Sequence, residues 1–391
     1  MGLRRIGMTW GPTDINGWGV FGLNLVLNLI RNGPTTPMLF AEPKLQGAPA
    51  DTLAALAPFT EECSRIAATL LSTEGLAVFD DATLIHSLSD SFHHDPISDQ
   101  VRGRHNVGFV FFENAALDAD ALERARRWDR LLVGSSWNRD VCQAAGLDDV
   151  QFVSQGIDTD HFRPPPPSAA PRQRFVIFSG GKFELRKGQY IVLAAFRQFH
   201  ERHPDSLLIT AWQNLWPQSA ASIMESPHVT SLPQLDADGK LAIVDWALVH
   251  GLQSQSIIDT GWIPNVMLPT LLSKADVALF PNRAEGGTNL AAMEVMACGV
   301  PCILSANTGH LDLIGEGNCY VLEDQKPCTY SGDPAGHWRE SSIDNILQQL
   351  ETAYQDAADR RQRGERGAEF MRHLSWKNQV AKIVTAIEDF L

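Results

Sequence analysis

Three short segments combine residue types able to hold an anionic or hydroxyl-rich ligand. SGGKFELRKGQ, residues 179–189, sets Gly180 and Gly181 before a cluster of Lys182, Arg186 and Lys187. The two glycines permit a sharp strand exit, and the cations could hold a diphosphate through charge-assisted hydrogen bonds. The plainer reading is a solvated loop with ordinary lysines. PNRAEGGTNLAAMEVMACGVP, residues 281–301, places Gly286, Gly287, Thr288, Asn289 and Leu290 at a helix start between two carboxylates, Glu285 and Glu294. Backbone N–H groups at such a turn attract phosphate, aided by the helix dipole. A carboxylate beside a diphosphate is repelled unless it serves hydroxyl donors, and the hydroxyls of a sugar or ribose are suitable. Apolar neighbours at Met293, Val295 and Met296 argue against a wet helix face for Glu294. The third segment, GPTDINGWG at 11–19, offers Asp14, Asn16, Gly17, Trp18 and Gly19. It reads equally as a ligand loop and as a structural turn with Trp18 lying on the core.

These segments need strands and helices to aim them. Apolar runs around Leu3–Thr9 and at 82–86, 106–112, 130–136 and 150–154 read as buried strands, with helices over Val20–Ile30 and from near Trp137. The alternation resumes with strands at 174–181, 206–212, 276–281 and 300–305 and helices at 188–204 and around AAMEVMACG. Continuous apolar strands between helices suit a mostly parallel sheet covered on both faces, so the fold class is α/β. In such sheets ligands bind beyond the carboxyl ends of the strands, where all three segments fall. Prolines 164–167 suit neither a helix interior nor a central strand. We therefore expect a domain over 1–165, a Pro-rich linker over 166–173, a second domain over 174–365 and a helical segment over 366–391. Phe370, Leu374, Trp376, Val380, Ile383, Val384 and Ile387 give that last segment an apolar face to pack back on the first domain.

Composition narrows the partners. The 391 residues are 44% hydrophobic and 20% charged, which excludes a largely disordered chain. A formal net charge of -14 argues against a nucleic-acid polymer as partner, because that function needs a concentrated positive surface. It leaves room for a small local basic site. Six cysteines with no CxxC pair read as thiols in a reducing cytoplasm. No apolar run approaches the roughly 20 residues that span a bilayer, although peripheral membrane contact stays open. The His93-His94-Asp95 run could suggest a metal, yet three adjacent residues rarely point at one ion, so no metal and no cofactor is expected. His86, placed just after a strand, is another candidate of the first half.

Taken together, SGGKFELRKG, the run from LPTLLSKADVALFPN through ACGVPCILS to ANTGHLDLI, and VGSSWNRDVCQAAGLDDVQFVSQGIDTDHFRP resemble the retaining nucleotide-sugar glycosyltransferases of family 4. Their order and spacing cover most of the chain. The resemblance implies the GT-B architecture, two facing Rossmann-like domains with an interdomain cleft. It places the family's basic pair on Lys182 and Lys187, with lysine where arginine is usual. It places the family's two glutamates on Glu285 and Glu294, toward donor-sugar hydroxyls and the nucleotide ribose. Eight residues, Gly286 to Met293, separate these glutamates, one more than usual, and a bulge at the glycines accommodates the extra one.

The implied activity is transfer of a hexosyl group from a UDP-, GDP- or ADP-type sugar to a hydroxyl acceptor, which could be a glycan, lipid-linked, small-molecule or protein. Lys182, Lys187 and Glu285 would be catalytic, with Gly180, Gly181, Gly286, Gly287, Thr288, Asn289, Leu290 and Glu294 holding the donor. Asp14, Asn16, Gly17, Trp18, Gly19, Glu113 and Asn114 would contact acceptor or sugar. The family's first-domain histidine is missing, and the strand ending at Phe112 runs into Glu113-Asn114 instead. Rival readings are a nucleotide-sugar epimerase or hydrolase on this fold, or a non-catalytic sugar-nucleotide-binding module. An epimerase would turn over donor with no acceptor present. A binding module would be expected to lose the charged pair or the glutamates, and all four charges remain.

Overall fold

The structure, a computed structural model, describes residues 5–72, 75–166, 173–328 and 330–391. The chain forms two compact units, 1–156 with 374–391, and 157–373. Residues 3–4 of the first expected strand and 167–172 of the expected linker lie outside the described residues.

The first unit is a six-stranded parallel sheet. Its strands are β1 (Arg5–Met8), β2 (Thr36–Leu39), β3 (Ala77–Leu88), β4 (Val101–Val110), β5 (Arg130–Val133) and β6 (Val150–Phe152), in the order β2-β1-β3-β4-β5-β6. The helices are α1 (Gly17–Asn32), α2 (Ala50–Ser72), α3 (Ala119–Ala125) and α4 (Ser136–Ala144). Helix α1 begins three residues before the apolar run because Asn16 caps it, its side chain accepting the Gly19 N–H at 2.9 Å. Strand β3 extends well beyond residues 82–86. Its first half is largely exposed and meets β4 through an irregular register between Phe79 and Thr83, so it lacks the apolar run that marks a buried strand.

The second unit repeats the plan. Strands β7 (Phe175–Gly180), β8 (Ser206–Ala211), β9 (Ile257–Asp259), β10 (Val277–Phe280), β11 (Cys302–Ser305) and β12 (Tyr320–Leu322) make a parallel sheet in the order β12-β11-β10-β7-β8-β9. The helices of this unit are α5 (Gln189–Arg202), α6 (Ile243–Val249), α7 (Leu268–Leu272), α8 (Leu290–Ala297), α9 (Ile343–Gln355) and α10 (Ala357–His373). An antiparallel pair, β13 (Gln325–Pro327) and β14 (Arg339–Ser341), follows β12. Every residue of β7, β10 and β11 is buried, as expected for central strands covered on both faces. Because β7, β10 and β11 are parallel neighbours, Gly180, Phe280 and Ser305 all deliver their following loops to one edge.

The last helix, α11 (Trp376–Ala386), belongs to the first unit. Trp376 packs on Phe21 with ring centroids 5.9 Å apart, and Val380, Ile383 and Ile387 are buried with it. Arg130 holds the chain end, bonding Asp149 at 2.7 Å and Asp389 at 2.8 Å. Among the described residues, no helix is long and apolar enough to cross a membrane. Nor does any group of three or more His, Cys, Asp or Glu among them stand ready to hold a metal.

Candidate active site

In the second unit, the loops after β7, β10 and β11 bring three cations against two carboxylates. Gly181 adopts φ +122° and turns the chain out of β7, while Gly188 at φ +72° starts α5. A Cβ at Gly188 would lie 2.6 Å from the Pro281 carbonyl oxygen, so glycine is required where this loop crosses the end of β10. Between these glycines stand Lys182, Glu184, Arg186 and Lys187. Lys182 Nζ lies 2.8 Å from Glu184 and above the Trp216 ring at 5.4 Å, and it is the most exposed of the cations. Arg186 bonds Glu184 at 2.7 Å and approaches Glu285 at 3.2 Å, and Lys187 Nζ meets Glu285 Oε1 at 2.6 Å.

Glu285 is buried and its backbone is fixed. Its N–H donates to Thr308 Oγ1 at 2.8 Å, and its carbonyl accepts from Gly309 N–H at 3.0 Å. Asn282 Nδ2 also donates to the carboxylate. Burial alone would raise the acid's pKa, but Lys187 and Arg186 outweigh it and hold the carboxyl down at about 2. Glu184 is lowered the same way, Arg186 and Lys182 overcoming the effect of burial.

Past Glu285, the chain makes a tight turn through Gly286 and Gly287, both buried, into α8. A Cβ on Gly309 would fall 1.8 Å from the Gly287 carbonyl oxygen, so the β11 loop fits this turn only as glycine. Asn289 takes a left-handed conformation, φ +61°, which asparagine tolerates better than most residues. Its Nδ2 donates to Nε2 of the buried His310 at 3.0 Å, and His310 Nδ1 faces Ser305 Oγ at 3.0 Å. Ser305 in turn donates to the Asn282 carbonyl at 2.6 Å. The hydroxyl's proton is thus committed, so the ring carries its hydrogen on Nδ1 and accepts on Nε2. Burial is the main cause that pushes the ring's pKa down to about 4. Because Asn289 turns to His310, its side chain caps none of the helix's first N–H groups. Those amides, with Leu290 first, therefore face the loops without a side-chain acceptor from the cap.

Glu294 sits one turn further along α8, only partly buried, with Asn265 Nδ2 3.4 Å from its carboxylate. Its surroundings act opposite to those of Glu285: burial pushes it up to about 8, against a smaller opposing effect of Asn265. Beneath the site, the guanidinium of Arg283 is fully buried between the rings of Tyr190 and Tyr330, at 4.5 and 4.1 Å. It donates to the Leu185 carbonyl at 2.8 Å and pairs with Glu340 of β14. The Arg283 N–H bonds the Arg186 carbonyl at 2.8 Å, so one residue ties the β10 exit to the cationic loop.

The structure therefore gathers Lys187, Glu285 and the Gly286–Leu290 turn at one place, with Arg186 as the second cation on Glu285. Lys182 pairs with Glu184 instead. Sequence reasoning named Arg186 in the cluster but passed over Glu184, Asn282, Arg283, Thr308 and His310. The last two lie in ANTGHLDLI, just past a strand end, and that position was the available signal.

The remaining candidates lie in the first unit. Asp14 accepts the N–H groups of Gln46 and Gly47 at 3.0 and 2.8 Å, which ties down the loop after β2. Asn16 caps α1, with Gly17 its first residue. A Cβ on Gly19 would collide with Thr13 Oγ1. Trp18 is half-buried and packs edge-on against Phe111, with centroids 4.8 Å apart. Asp90 accepts the Glu113 and Asn114 N–H groups at 3.0 and 3.5 Å. His86 lies inside β3, not after it, and is fully buried between Ser98 and Asn106. Asp95 caps a short helical turn at 96–99, and His94 pairs with Asp99 at 2.7 Å.

Residues 173–330 match the family described as Glycosyl transferases group 1. No curated protein matches the chain. Among solved structures, a sucrose-phosphate synthase from Thermosynechococcus elongatus is similar at a TM-score of 0.66 and 16% identity, with 99% of each chain covered. The Anabaena protein HepE, solved in complex with UDP and glucose, reaches 0.63 at 12% identity over 100% of both chains. A glycosyltransferase from Rickettsia africae reaches 0.62 at 9% identity, covering 100% of this chain and 99% of that one. Identities this low show the fold alone, two Rossmann-like parallel α/β units consistent with the GT-B architecture. Together, fold and match describe a glycosyltransferase-like protein of GT-B fold with a group 1 glycosyltransferase domain in its second unit.

Proposed function

We propose that this chain is a retaining glycosyltransferase of family 4 that moves a hexosyl group from a nucleoside-diphosphate sugar to a hydroxyl acceptor. One observation carries the reading: Lys187 and Arg186 converge on Glu285, at the carboxyl ends of β7 and β10 and just before the glycine turn that leads into α8. Two cations and a helix start can hold a diphosphate as its negative charge grows. The bond between the anomeric carbon and the phosphate oxygen breaks, and the acceptor oxygen bonds to the same face. The acceptor proton passes to the leaving phosphate. Lys182, Lys187 and the Gly287–Leu290 amides stabilise the departing diphosphate, with Gly180 and Gly181 shaping the loop. Glu285 serves sugar hydroxyls and Glu294 the ribose.

In the first unit, Trp18 in the first turn of α1 and Glu113 and Asn114 on the loop after β4 are our candidates for acceptor contacts. Free cysteines, five of the six buried, suit a reducing cytoplasm. Thermal unfolding with UDP-, GDP- and ADP-sugars tests the reading. One donor class should raise the midpoint in the wild type and not in Lys187→Ala. Stabilisation by none of the three, or equal stabilisation of both proteins, would contradict it.

A further inference from the structure

The cations proposed to hold the donor diphosphate are already occupied by the protein's own carboxylates. Lys182, Arg186 and Lys187 face Glu184 and Glu285, which leaves one net positive charge in the cluster. Glu285 is placed as a phosphate group would be: one oxygen takes Lys187 Nζ at 2.6 Å and the other lies 3.2 Å from Arg186. Its backbone is held on both sides by Thr308 and Gly309, so a displacement is confined to the side chain, which Asn282 also bonds.

We infer that Glu285 is an internal competitor for the diphosphate subsite, displaced from Lys187 and Arg186 when a donor sugar binds and returning to them when the bare diphosphate is left. The inference rests on the reading of this site as a diphosphate site. Its physical basis is exchange of one anion for another on the same two cations. A carboxylate pulled off its cations in a buried site carries a heavy cost unless it gains other donors. A sugar supplies them as hydroxyls, and a bare diphosphate does not. The same residue therefore favours the sugar-bearing donor over its product and promotes product release. The strongly lowered carboxyl keeps Glu285 ionised throughout the neutral range, so the competitor is always charged.

Inorganic pyrophosphate is the probe, because it carries the diphosphate without base or sugar. Its affinity is measured by calorimetry for the wild type, Glu285→Gln, Glu285→Asp and Lys187→Met, with folding checked by circular dichroism. Removing the competing charge should tighten pyrophosphate binding about tenfold or more in Glu285→Gln. Glu285→Asp, which retracts the charge from Lys187, should fall between it and the wild type. Lys187→Met should weaken binding. The Asp variant answers the question if the Gln variant does not fold. Unchanged or weaker binding in both Glu285 variants, or no binding by any of the proteins, overturns the inference. The functional reading fails separately, when no nucleotide sugar stabilises the wild type.

Discussion

Lowering the pH tests the network beneath the α8 turn without touching its residues. His310 accepts from Asn289 on Nε2, and a second ring proton would set that nitrogen, as a donor, against the Asn289 amide. Burial is the first cause that holds the ring at about 4, against an ordinary 6.5; nearby Lys187 adds to it and Glu285 opposes. The unfolded chain takes up the proton near 6.5 and the folded chain only near 4. Between those values the unfolded state binds more protons, so stability falls as pH falls. For one ring shifted this far, the loss is about 2 kcal/mol between pH 7 and pH 5 and about 3 kcal/mol by pH 4.

The assay is urea unfolding of the wild type and His310→Gln across that range. A glutamine amide can accept from Asn289 and donate to Ser305 while titrating nothing. His86, in the first unit, is also pushed down to about 4 and His200, in the second, is lowered too, burial being the leading cause in each, so the wild type's pH slope mixes three rings. The difference between the two proteins isolates His310. The wild type should lose about 2 kcal/mol more than the variant between pH 7 and pH 5. Parallel pH profiles would show that His310 is not the source of the loss.

Two further outcomes follow from the same geometry. Gly309→Ala puts a Cβ 1.8 Å from the Gly287 carbonyl oxygen, so the turn must shift, at about 1–3 kcal/mol; urea unfolding should show that loss, and donor stabilisation should vanish. The folded chain holds a proton on Glu294 up to about 8, against an ordinary 4.5, so this group's contribution is lost as pH rises between them. Glu294→Gln should be less sensitive to pH over that interval in thermal unfolding, and matching wild-type and variant curves would count against a proton held on Glu294.

How much of this was legible in the sequence depends on locality. Strands β7, β10 and β11 announced themselves as continuous apolar runs because both of their faces are covered. Helix α2 did not, since only Thr52, Leu56 and Cys63 of its 23 residues are buried, and it also holds Pro58. The β13–β14 pair escaped notice because Gln325–Pro327 and Arg339–Ser341 are short and polar. Within the site, the glycine turns and the lysines stand in contiguous motifs and could be picked out. Their partners could not: Lys187 and Glu285 are 98 positions apart, and the loops after two neighbouring strands bring them together. A fully buried arginine is the least predictable of these features, since arginine is mostly exposed. Arg283 is affordable there only because two tyrosine rings, the Leu185 carbonyl and Glu340 surround it.

On the proposed function, this chain splits a nucleoside-diphosphate sugar at the site built around Lys187. Release of nucleoside diphosphate from whichever donor stabilises the protein tests it most directly, in the wild type and in Lys187→Ala with its fold verified. The wild type should turn over, and the variant should lose about a hundredfold or more, as for removal of one strong stabiliser of developing charge. Near-normal turnover in Lys187→Ala would contradict it.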